Sequence, residues 1–184
     1  LKAALAAQGV EISWTGVSGD NSSMVLQGVA VKPAGEKEPL TIGDVKLEGV
    51  SEANDGYDIA TVSTSPFQHA QEGVTLSLSP FIIHDMSVPA EGATGPLGSL
   101  MMYKSAELAN MTVKVADKTA FSMDGLAIEI TPPADGKAME FTANTEKFNA
   151  DLKLVDDPMS KEVITALGYH NISGNLEMAA TNAS

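Results

Sequence analysis

The chain has 184 residues and a formal net charge of −13 at neutral pH, from 11 basic and 24 acidic side chains. That balance excludes an electrostatic hold on nucleic acid phosphates or on an anionic membrane surface. Cysteine is absent, which excludes thiol catalysis, thiolate zinc sites and iron–sulfur clusters and is compatible with a bacterial envelope protein.

Hydrophobic residues make up 43% of the chain and aromatics 5%, so the core has to be built from aliphatic side chains and methionine. No apolar run reaches the roughly 18–20 residues of a membrane-spanning helix. In chain order, "LKAALAAQG" has helical spacing at Leu1, Ala4, Leu5 and Gln8, with Gly9 placed to end the helix. Nothing before Leu1 starts that helix. Residues 1–9 therefore read as the end of an upstream helix, and 1–184 as a single β-rich domain cut from a longer chain.

From Val10 onward the signals are mostly strand: "VEISW", "SSMVLQGVAV", "PLTIGDVKLEGV", "YDIATVSTS", "GVTLSLS" and "FIIHDMSV". Gly, Pro, Asn and Asp clusters separate them, and "ANDG" (53–56) and "ADGK" (134–137) predict tight hairpins. Val74, Leu76 and Leu78 alternate with Thr75, Ser77 and Ser79, a strand with one dry face and one hydroxyl-rich face. "GPLGSLMMY" (95–103) predicts a short irregular helix, and "DDPMSKEVITALGY" (156–169) a stronger one. In the second, Asp157 caps, Pro158 opens, Met159, Val163, Ile164 and Leu167 form the buried stripe, and Gly168 stops the helix. "NISGNLEMAA" returns to strand with Glu177 as its one charge. That leaves a poorly protected edge, which either pairs within the sheet or packs on another copy.

One local phrase recurs: an apolar residue, any residue, then Gly, Asp or Asn, then apolar-x-apolar. It occurs as "LQGVAV" (26–31), "IGDVKL" (42–47), "IHDMSV" (83–88), "LANMTV" (108–113) and "MDGLAI" (123–128). A three-residue step moves a side chain to the opposite face of a flat strand. The two apolar halves share one face only if an extra residue is absorbed by a bulge or bend, which Gly, Asn and Asp tolerate. The pattern predicts a mainly β fold: a curled antiparallel sheet, taco-like or barrel-like, with two or three short helices. On the inner face of that sheet, Val29, Val31, Val45, Leu47, Leu126 and Ile128 would line an apolar groove. They suit a closed core equally, and the pattern leaves both open.

These phrases, with short helices and Gly-Asp turns between them, resemble the AsmA-like proteins of the bacterial envelope. The texture of "DPMSKEVITALGYHNISGNLEM" is similar to larger uncharacterised alphaproteobacterial envelope proteins. The resemblance covers about 25–178 in scattered pieces and brings no catalytic or binding residue with it. It implies a taco-like sheet with an apolar inner face, periplasmic or envelope-associated, in a family tied to lipid movement or outer-membrane integrity.

Catalytic signatures are missing: no P-loop, dinucleotide fingerprint, zinc-protease motif or nucleophile elbow. Ser18 in "GVSGD" lacks the elbow spacing, and His69, His84 and His170 are too scattered for a metal site. Asp156-Asp157 is explained by helix capping and solvation. Asn21, Asn110, Asn171 and Asn182 open glycosylation sequons that a Ser- and Thr-rich bacterial chain produces by chance. The sequence therefore reads as a non-enzymatic envelope protein without cofactor or metal, whose partner is a lipid or an envelope protein. The alternative is an assembly or adhesion module that pairs, or self-associates, through its sheet edges.

Overall fold

The computed structural model describes residues 2–7, 9–35, 37–53, 56–90, 101–131, 138–154, 162, 164, 166–168 and 170–183. After α1 (Lys2–Ala7) come β1 (Val10–Ser13), β2 (Gly16–Gly19), β3 (Ser23–Pro33), β4 (Leu40–Ala53), β5 (Gly56–Thr64) and β6 (Phe67–Gln71). Then follow β7 (Val74–Leu78), β8 (Phe81–Pro89), β9 (Ser105–Val115), β10 (Lys118–Thr131), β11 (Ala138–Asp151) and β12 (Asn171–Ala183). The chain is mainly β, with antiparallel pairing, as alternation predicts. Strands absent from the sequence reading are β2, β6 and β11, whose residues are short or polar.

Two or three helices are not borne out. Among the described residues, helix is confined to α1, a 3-10 turn at Leu152–Leu154 and positions 162, 164, 166 and 167. Most of 156–169 and of "GPLGSLMMY" lies outside the described residues. Met102, at the end of the latter, bridges to Ser87 as strand, and Leu167, expected in a buried stripe, is 61% exposed. Two helix stops hold. Gly9 (φ 78) donates its N–H to the Ala6 carbonyl, and Gly168 has φ 71.

The chain forms two compact units, Leu1–Ser65 with Pro80–Ala106, and Pro66–Ser79 with Glu107–Ser184. In the first, the strand order is β3, β4, β5, β8, with β1 and β2 lying end to end along the outer edge of β3. In the second it is β6, β7, β9, β10, β11, β12. Among the described residues, the strand order of neither unit closes on itself into a barrel. β4 and β5 pair as far as Ala53 and Gly56. Two-residue turns at Glu72-Gly73 and Ala116-Asp117 have positive φ at both positions, the geometry that matches strand twist.

The core of the first unit answers the odd three-residue step. Leu26 and Val29, Ile42 and Val45, Leu47 and Val50, Ile59 and Val62, and Ile83 and Met86 all meet in one apolar cluster. Each pair is three residues apart, yet both members face inward. Gly28 (φ 57), Gly43 (φ 87), Gly49 (φ 65) and Asp85 (φ 51) supply left-handed residues inside four of these steps. Between β3 and β4 the extra residues shift the register, twice. The Asp44 carboxylate spans the first shift, accepting the Gly28 N–H at 2.9 Å.

Between β4, β5 and β8 the register does not shift, because all three strands carry their extra residue at the same level. Gly49 falls opposite Ala60, and Ala60 opposite Asp85. The bulges line up into a crease across the sheet. The second unit repeats the device. Gly125 (φ 65) of β10 falls opposite Glu146 of β11 with their register intact, while β11 shifts against β12 between Thr145 and Phe148. Across that shift β11 carries one residue more than β12. The phrase around Asn110 departs from the pattern, because no described residue there has positive φ. Asn110 instead donates its side-chain N–H to the Asp124 carboxylate at 2.6 Å.

A Cβ on Gly125 would overlap the Glu146 side chain and sit on a left-handed backbone. Gly125→Val is expected to cost about 2 kcal/mol, against a negligible change for Thr119→Val on the same strand. Urea melts followed by circular dichroism decide this, and equal midpoints for the two variants would contradict a bend at Gly125.

Candidate functional site

The six residues picked out from the sequence fall into two places. Val29, Val45 and Leu47 are 0%, 7% and 6% exposed in the core of the first unit, and Val31 packs half-buried against them. Val29, Val45 and Leu47 are closed core and have no open surface to offer a ligand. Leu126 and Ile128 belong to the second unit and are half-buried.

Around Leu126 and Ile128 the registers build an apolar face. Directly paired residues lie on the same side of an antiparallel sheet. Ile128 pairs with Ala143, Met123 with Phe148 and Phe121 with Ala150. On β12, Met178 pairs with Ala143, Leu176 with Thr145 and Ile172 with Ala150. The crease at Gly125 and the matching bulge in β11 keep both ends of these strands on this one side. Without them Met123 and Phe148 would face away from Leu126 and Ala143.

The opposite side is acidic. Asp124, Glu129, Glu140, Lys147 and Glu177 all occupy paired positions there. The apolar side has no charged residue at its paired positions. Ala143 and Thr145 are each 6% exposed at its centre, while Ile172, Leu176 and Met178 on β12 are 47%, 48% and 49% exposed. Thr145, the one polar residue at the centre, is satisfied: its hydroxyl accepts the Leu176 N–H at 3.0 Å, replacing a ladder bond at the bulge. The sequence reading found β12 but not its role in this face. The signal was present in the alternation of Ile172, Gly174, Leu176, Met178 and Ala180.

The polar residues weighed for chemistry are dispersed. Ser18 is exposed on β2, which the "GVSG" of that segment forms, and Asp20 opens the turn into β3. Asp20 caps that turn. The Ser22 hydroxyl and the N–H groups of Ser22 and Ser23 donate to its carboxylate and hold its pKa below the usual aspartate value. His69 stacks on Phe67 with ring centres 6.3 Å apart, His84 lies on β8, and His170 precedes β12. Asp156 and Asp157 lie outside the described residues. Among the described residues no group of three His, Asp or Glu side chains is placed to hold a metal. No described helix is long and apolar enough to cross a membrane, which says nothing of crossing by strands. Compared with protein families, curated proteins and solved structures, the chain matches none.

Proposed function

We propose that the chain is a non-enzymatic bacterial envelope protein whose creased sheet curls to present an apolar face to lipid acyl chains, in the manner of AsmA-like proteins. The observation that carries this reading is the sidedness of β10–β11–β12. Its apolar side holds Met123, Leu126, Ile128, Leu176 and Met178, and every paired charge lies on the other side. Exposed aliphatic residues gathered on one face mark an interaction surface more strongly than the same residues scattered singly. The net charge of −13 favours zwitterionic over anionic lipids as the ligand.

The test is native mass spectrometry of the chain with phosphatidylethanolamine. Lipid adducts are expected on the wild type. A Leu176→Asp/Met178→Asp double variant, changed at exposed positions that the fold does not need, is expected to bind about tenfold more weakly. Equal adduct formation by both would contradict this site.

A second reading, assembly through a sheet edge, has its own observation. Among the described residues β12 pairs with β11 alone, leaving a thirteen-residue strand, Asn171–Ala183, with its other edge open. Open edges template strand addition.

A further inference from the structure

We infer that the open edge of β12 accepts an extended strand bearing a basic residue opposite Glu177 and rejects a second copy of itself, an inference that rests on the edge-pairing reading. Glu177 is the middle residue of β12, Asn171–Ala183. When two copies of β12 pair antiparallel about a two-fold axis with full overlap, Glu177 falls opposite Glu177. Every other pairing in the antiparallel arrangement is favourable or neutral. Leu176 falls opposite Met178 twice, which extends the apolar side from one copy to the next, and Gly174 falls opposite Ala180. Strand continuity, hydrogen bonding and apolar contact therefore all permit self-pairing, and one like-charge pair opposes it.

Within its own sheet Glu177 pairs with Asn144, so its direct neighbour on β11 brings no cation to cancel the repulsion. Sliding the copies by two residues separates the carboxylates but forfeits paired residues at both ends. A partner strand with Lys or Arg at the central position turns the same contact into an attraction without that loss. This is how edges are guarded against their own kind while remaining usable.

The experiment measures association constants by sedimentation equilibrium for the 184-residue chain. It compares wild type, Glu177→Thr, Glu177→Lys, and an equimolar mixture of wild type with Glu177→Lys. Here the lysine variant serves as the strand with a central cation. The mixture is expected to associate about tenfold more tightly than wild type alone, and Glu177→Thr about fivefold more tightly. Glu177→Lys alone is expected to be as weak as wild type. Association of equal strength in all four would overturn the discriminating role of Glu177 while leaving edge pairing in place. No association in any of them would overturn edge pairing itself. Because Glu177 is on the polar side, lipid adducts should be unchanged across the series.

Discussion

Gly49→Val is expected to lower the stability of the chain by about 3 kcal/mol, read as a drop in urea midpoint without a change in slope. Gly49 has φ 65, a conformation that β-branched residues avoid. A Cβ there would lie 2.9 Å from the Ala60 Cβ. Ala60 has no rotatable side chain to swing aside, so relief has to come from the backbone of β4 or β5. That movement breaks the alignment of Gly49, Ala60 and Asp85 on which the unshifted registers of β4, β5 and β8 depend. Trp14, the single tryptophan of the chain, packs against the same core cluster and reports the unfolding of this unit by fluorescence. Thr41→Val, an exposed change on the same strand, is expected to stay within about 0.5 kcal/mol of wild type. Equal midpoints for the two variants would mean that the crease is not a structural requirement.

Leu26→Ala is expected to cost a similar amount, about 3 kcal/mol. Leu26 is 3% exposed and precedes the bulge that returns Val29, 0% exposed, to the same core. Truncation loses the transfer energy of the side chain and leaves a cavity, because close-packed neighbours on β4 relax only in part. Leu40→Ala is the control. Leu40 is 41% exposed at the start of β4, and its truncation should cost under about 1 kcal/mol. A Leu26→Ala midpoint no lower than that of Leu40→Ala, followed by Trp14 emission, would contradict the placement of Leu26 in the core.

What the sequence made legible was the backbone device. Odd apolar steps around Gly28, Gly43, Asp85 and Gly125 were visible as a repeated phrase, and left-handed residues stand in all four. The phrase did not expose its alignment across strands. Gly49 followed by Val50 fits only its first half, because Glu52 breaks the alternation. Ile59 to Val62 makes the odd step with no glycine at all. Pairing partners decide whether such steps cancel or shift the register, and a linear sequence does not state the partners. The same gap explains the site. Val29, Val45 and Leu47 have the same local pattern as Leu126 and Ile128. Burial separates the two sets, and burial depends on what packs across each sheet. β11 escaped notice because its apolar residues Phe141, Ala143 and Phe148 are spaced by polar ones and by its own bulge.

The claim that the apolar side of β10–β11–β12 receives lipid is tested most directly by photo-crosslinking. A phosphatidylethanolamine carrying a diazirine on its acyl chain is irradiated with the purified chain, and the labelled peptides are mapped. Label is expected to concentrate around Met123, Leu126, Ile128, Leu176 and Met178. Absence of label at saturating lipid, or label spread evenly over the strands and over the acidic side at Glu129 and Lys147, would contradict it.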